Sequence, residues 1–366
     1  MGLACGARPC VVVRSARRLS CEYRYLRNRS VVTSDNRQPP PFVITRVSHV
    51  ELNVTDLAAS RRFYEEVIGL SVVDADNKTL FLRGVEERCH HSLVLQQRDE
   101  PPTCERVGFR VETEMELEKA KEFFVTNDRA ADWTDVAYQE LTLRVADRAG
   151  APIEFCAHMP ADSRREVRFD LLKGGAPARL DHIQIHTADI RFALSFYLEL
   201  GFRISEYASE DGTLSSPLRS VFLARKGNAN DIVLASNQGP RLHHLAYVVH
   251  DASTTLLRVC DVAAAMGMRD SVEWGPCRHG LGNERFLYLR DPDGHRIELL
   301  SHPYQLIDLE DESYGWSTDR HDIAELWGPG APDSWRHEAS AFRGVQTQSP
   351  ASPGPRELST AETAAS

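Results

Sequence analysis

Two stretches of this chain spell one pattern twice, and that repeat restricts the possible folds more than any other feature. Ser48-His49-Val50-Glu51-Leu52-Asn53-Val54 alternates with period 2, as a half-buried strand does, and Asp181-His182-Ile183-Gln184-Ile185-His186-Thr187 alternates in the same way. Each run leads into a helix with an aromatic pair, Phe63-Tyr64 or Phe196-Tyr197, and then a glycine stop, Gly69 or Gly201. Thr55 or Asp56 caps the first of these helices. Strands follow from Ser71, over 79–82 and over 92–95. The same order recurs over 107–155, with a helix at 114–124 and a last strand at 152–155. Asp147-Arg148-Ala149-Gly150-Ala151-Pro152-Ile153-Glu154 has its counterpart in Asp291-Pro292-Asp293-Gly294-His295-Arg296-Ile297-Glu298. The reading is an α+β fold of four tandem βαβββ modules in two halves of about 120 residues.

The halves fall at 45–160 and 180–303, with a charged and then glycine-rich linker at 161–179. A segment at 304–339, carrying Trp316, Trp327 and Trp335, is expected to pack back onto the second half. The Ser/Pro/Thr/Ala-rich stretch 340–366 reads as a disordered tail. Residues 1–44 are arginine-rich, with Glu22 and Asp35 as their acids, and read as a disordered extension, a start codon set too far upstream, or a mitochondrial leader. A net charge of −10 without a basic stripe argues against nucleic acid as partner, and no apolar run is long enough to span a membrane. Eight cysteines without a CxxC pair read as reduced thiols of a cytoplasmic protein.

Chemistry concentrates in the second half. Leu287-Tyr288-Leu289-Arg290 and Arg296-Ile297-Glu298-Leu299 form a hairpin around the Asp291-Pro292-Asp293-Gly294 turn. Glu298 is a carboxylate among apolar neighbours, so it needs a partner or a metal. His182 lies on the first strand of this half and His244 opens the strand of its second module. Two imidazoles and a carboxylate on neighbouring strands make a facial set that leaves three positions open on an octahedral ion. His49 and Glu154 stand at the matching places in the first half, but Arg106 replaces the second histidine. A guanidinium has no lone pair to give, so Arg106 is expected to pair with Glu154 in a half that holds no metal. His243 is expected to point away from His244 by strand alternation, and His186 to pack.

These motifs, with Gly239-Pro240-Arg241-Leu242-His243-His244 and Gly275-Pro276-Cys277-Arg278-His279-Gly280, resemble the type I extradiol ring-cleavage dioxygenases of the vicinal oxygen chelate superfamily. Within them the chain is most similar to the homoprotocatechuate 2,3-dioxygenase and catechol 2,3-dioxygenase branch, over about residues 45–338. The resemblance implies a curved mixed sheet around a cavity in each half, with helices outside, and a homotetramer. It implies that His182, His244 and Glu298 bind Fe(II), or Mn(II) in some members, and that a catechol and O2 meet there. Tyr288 would hydrogen-bond the substrate oxygen and act in acid–base steps, with His279 beside it. Gln184 would face the substrate, and Arg278 would bind it or anchor its loop.

The chain departs from that family at four positions. Asn230 stands where most members have a histidine that assists O2 chemistry, and Asn carries no proton near neutral pH. Gln184 replaces an Asn of the homoprotocatechuate branch. Trp274 and Ala324 stand where members taking carboxylated catechols place arginines, so a less acidic or more aromatic catechol is expected. Two other readings stay open: a glyoxalase-like isomerase or lyase of the same superfamily, and a non-catalytic ligand-binding member.

Overall fold

The computed structural model describes residues 39–350 apart from Lys226, His302, Leu309 and Glu310, so most of the proposed leader and of the proposed tail lie outside the described residues, while the leader's last residues belong to the fold, with Phe42 buried, the Val43 N–H donating to Glu116 and Ile44 opening the first strand. The first half runs β1 (Ile44–Val54), α1 (Leu57–Arg61), β2 (Ser71–Ala75), β3 (Thr79–Arg83), β4 (Leu93–Gln97), β5 (Thr103–Val111), α2 (Glu114–Thr126), β6 (Ala131–Val136), β7 (Glu140–Ala146) and β8 (Pro152–Cys156). The second runs β9 (Arg179–Thr187), α3 (Ile190–Glu199), β10 (Arg203–Ser209), β11 (Leu218–Ala224), β12 (Ile232–Ser236), β13 (Arg241–Val248), α4 (Ala252–Ala265), β14 (Val272–Arg278), β15 (Arg285–Arg290) and β16 (Arg296–Ser301). Each half is one mixed sheet, β2-β3-β4-β1-β5-β8-β7-β6 and β10-β11-β12-β9-β13-β16-β15-β14, so the order repeats strand for strand. This is the α+β repeat expected from the sequence.

Asp56 is the cap of α1, accepting from the backbone N–H of Ala58 and Ala59, while Thr55 donates to Asp293 in the other half. The helix widens into a π-helical turn over Arg62–Ile68 and stops at Gly69, whose φ of +89° and contact with the Lys173 carbonyl leave no room for a side chain. The aromatic pairs then lock the halves reciprocally. Tyr64 donates to Asp291 at 3.1 Å and Tyr197 donates to Asp147 at 3.1 Å, each reaching the hairpin turn of the opposite half.

The C-terminal segment closes over the second sheet. It adds β17 (Tyr314–Ser317) beside β10, α5 (Asp333–His337) and β18 (Ser340–Ala341) beside β13. Residues 340–350 therefore belong to the fold and not to a tail, because their backbone pairs with Leu242 and Gly239 and Phe342 is buried. Arg296 pins this strap: it pairs with Glu273 and donates to the carbonyls of Ser334 and Glu338. No helix among the described residues is long and apolar enough to cross a membrane.

Candidate metal centre

One row across the second sheet carries the chemistry. Trp274 faces Tyr288, Tyr288 faces Glu298, Glu298 faces Ala246, and Ala246 faces His182, on β14, β15, β16, β13 and β9 in turn. His244 sits across from Gln184 on the same two central strands. The result is a compact triangle of buried donors: His182 Nε2 is 3.5 Å from Glu298 Oε2, His244 Nε2 is 3.3 Å from the same oxygen, and the two Nε2 atoms are 3.3 Å apart. Among the described residues these three form the group able to hold a metal ion.

The surrounding hydrogen bonds fix which nitrogens are free. Asp181 accepts from His182 Nδ1 at 3.0 Å, and Asn228 donates to the other Asp181 oxygen at 2.5 Å. The Trp335 carbonyl lies 2.7 Å from His243 Nε2 and takes its proton, so His243 Nδ1 accepts from His244 Nδ1 at 2.7 Å. Both ligand histidines therefore turn an Nε2 lone pair toward Glu298, the orientation a metal requires. Glu298 Oε1 is buried without a hydrogen-bond partner, and two nitrogens with one carboxylate oxygen suit a first-row divalent ion. The residues fit such an ion.

Electrostatics point the same way. Burial opposes a charge on His182, but its hydrogen bonds to Asp181 and Glu298 outweigh it and push the pKa up to about 10. The two carboxylates thus favour positive charge at this spot, whether a proton or a metal. Burial, with the cations nearby, holds His244 well below its usual range, which keeps it a neutral ligand. Glu298 is buried, yet its contacts with His182 and His279 keep its carboxyl far below the ordinary range. Burial and then Glu298 raise the Tyr288 phenol, which stays protonated.

The triad opens into a cavity of about 420 Å³. Gln184, Tyr288 and His279 line it, as does His186, whose ring packs on His243 at 4.4 Å. His279 Nδ1 lies 2.5 Å from the Ala324 carbonyl, so its Nε2 is free to accept from the Tyr288 hydroxyl at 3.1 Å. Three proposed residues are not in the lining. Asn230 is buried ahead of β12, and Val233, Ala235 and Ser236 of that strand line the cavity instead. Trp274 lies behind Tyr288, stacked on it at 5.6 Å, with its indole N–H held by the Pro329 carbonyl. Arg278 meets Trp327 and Leu326 through its backbone and so anchors the strap. His243 also departs from expectation. A bulge between Leu242 and His244 breaks the alternation and sets its ring against that of His244. Sequence reasoning missed Asp181, although its place directly before His182 was a visible signal.

The sequence pattern of the glyoxalase/bleomycin resistance protein/dioxygenase superfamily matches residues 46–155 and 179–299. The chain belongs to that superfamily. Each matched segment is one half of the repeat. Among curated members, the chain is 27% identical over 304 residues to a manganese-dependent 2,3-dihydroxybiphenyl 1,2-dioxygenase of Geobacillus genomosp. 3, covering 78% of this chain and 94% of that one. It is 25% identical over 328 residues to a metapyrocatechase of Geobacillus stearothermophilus, covering 82% and 95%. Among solved members, homoprotocatechuate 2,3-dioxygenase of Brevibacterium fuscum, in an anaerobic complex with 3,4-dihydroxyphenylacetate, superposes with a TM-score of 0.78 at 34% identity, covering 82% and 94%.

Proposed function

We propose that this protein is an extradiol dioxygenase that opens the ring of a catechol-type diol with O2, using Fe(II), or alternatively Mn(II), held by His182, His244 and Glu298. The observation that carries this reading is the triad: three adjacent buried donors from one sheet, facing a cavity of a size to hold a small aromatic molecule. The similar proteins carry names of that activity, and one solved relative holds a dihydroxyphenyl compound. Such an ion, when bound, supplies open positions for a diol and O2 side by side and charge compensation for the ring-opening chemistry.

This chain's residues do the rest. Asp181 and His243 hold the two imidazoles in register for the ion. Tyr288, neutral and donating to His279, reaches the diol oxygen. His279 Nε2, set by the Ala324 carbonyl, holds the proton that the diol gives up. Gln184 offers its amide to the substrate, and Phe222, Val233 and Trp335 keep water from the ring. The glyoxalase-like reading is weaker, because such enzymes draw ligands from two halves or two chains and all three donors here belong to one sheet. The test is anaerobic loading with Fe(II) followed by 18O2 and a panel of catechols. We expect a yellow ring-opened product carrying two labelled oxygens. Tight metal binding without O2 uptake on any diol would overturn the reading.

A further inference from the structure

Strand register divides the cavity into layers that lead away from the triad. Gln184, Val233 and Phe222 face one another across β9, β12 and β11 and form the layer at the ring. The next layer outward is His186, Ala235, Ser220 and Ala208, across the same strands and β10. All four line the cavity, and three of them are small, so they form a shelf with room above it. Layers two residues apart along a strand are separated by about 7 Å, and His186 stands about 13 Å along β9 from the metal ligand His182. The shelf therefore begins beyond the ring.

His186 is the residue of that shelf with an unmet nitrogen. It is buried, and its Nδ1 is sealed without a hydrogen-bond partner. Burial, with the charges of Arg296, Arg241 and His337, pushes its pKa down to about 3, so the ring is neutral and carries one N–H. A sealed N–H without an acceptor is costly, so the proton sits on Nε2, which the ring presents to the cavity. The acids in the lining, Glu284 and Glu298, belong to the metal end. The charges acting on His186 are positive, with Arg241 directly across from it on β13. Asn237 ties the rim to this place: its backbone N–H donates to the Thr187 carbonyl and its side-chain amide to the carbonyl of Arg336, which lines the cavity beside His337. An N–H in a positive setting suits an anionic oxygen.

We propose that the substrate is an elongated diol whose tail ends in a carboxylate, and that the His186 N–H, over the shelf of Ala208, Ser220 and Ala235, receives that carboxylate. This rests on the dioxygenase reading, and the test separates the two. Mn(II)-loaded protein is titrated anaerobically by calorimetry with dihydroxybenzoate, dihydroxyphenylacetate, dihydroxyphenylpropanoate and dihydroxyphenylbutanoate, in both the 2,3 and the 3,4 series. Each acid is compared with the alkylcatechol of the same length, and catechol is the reference. An acid on the ring stops short of the shelf, so the ratio of acid to alkyl affinity should be at or below one for the benzoate. It should rise along the series to about tenfold at the propanoate or butanoate. His186→Leu should abolish that rise, and His186→Gln, which keeps an N–H, should retain part of it. A purely structural role for His186, through its packing on His243, would shift all ligands alike and leave the ratios as they were. A ratio near one at every length, or a rise that survives in His186→Leu, overturns the proposal while leaving the dioxygenase reading intact. Absence of catechol binding would sink both.

Discussion

In both halves a glutamate, a small residue and a histidine lie side by side on three neighbouring strands: Glu154, Gly108 and His49 in the first, Glu298, Ala246 and His182 in the second. What surrounds them differs. Arg106 stands in the register position of His244, and Arg144 stands in that of Tyr288. Their guanidiniums lie 3.5 and 3.2 Å from Glu154 Oε2 and supply there the positive charge that a metal would supply in the second half. The histidine differs too. His49 leans over Gly108, where a Cβ would come within 1.9 Å of its ring, and reaches Glu154 at 2.7 Å. Ala246 has that Cβ, and His182 stands 3.5 Å from Glu298. One scaffold thus gives a closed ion-pair cluster or an open ligand triangle, according to a few side chains.

The largest effect should come from making the second half like the first. His244→Arg removes a lone pair and installs a repelling charge, so metal content and O2 uptake should fall to background while circular dichroism stays unchanged. Asp181→Asn weakens the orientation of His182 and should cost about 10–100-fold in metal affinity, read by competition with a chelator. Ala246→Gly lets His182 collapse toward Glu298 and should cost about tenfold in the same assay. The reverse change, Arg106→His, should leave one metal per chain, because Gln139 at 3.2 Å and Arg144 still hold His49 and Glu154.

The smallest effect is one of pH. Burial works against charge on His49, but bonds to Cys156 and Glu154 outweigh it and raise its pKa to about 9. A raised folded-state pKa means that the stabilisation is complete below the unfolded value of about 6.5. It is lost as pH climbs through about 9. His49→Gln should therefore lower Tm by a few degrees at pH 6, and the gap to the natural protein should close above pH 9. A gap independent of pH would mean that His49 is neutral and that the first half is not an ion-pair cluster.

Much of this was legible in the sequence because the repeat supplies its own alignment. Matching His49 with His182 and Glu154 with Glu298 located the strands, the triad and the substitution at Arg106. What stayed hidden depends on local departures from strand periodicity and on distant backbone. The bulge at His243 overrides alternation, and the carbonyls of Trp335 and Ala324, which set the tautomers of His243 and His279, come from a strap far along the chain. Carbonyls leave no residue signature. The same strap draws Trp274 behind Tyr288 through the Pro329 carbonyl, so a residue aligned with the substrate wall became part of its backing. Arg144 was visible but lacked a motif to single it out.

The most direct test of the account titrates the natural protein anaerobically with Fe(II), counts bound metal per chain, and measures O2 uptake with catechol at each point. The account predicts that uptake rises with metal and saturates at one ion per chain, and that His244→Arg gives neither. Saturation at two ions per chain, or uptake that persists in His244→Arg, would contradict a single working centre in the second half.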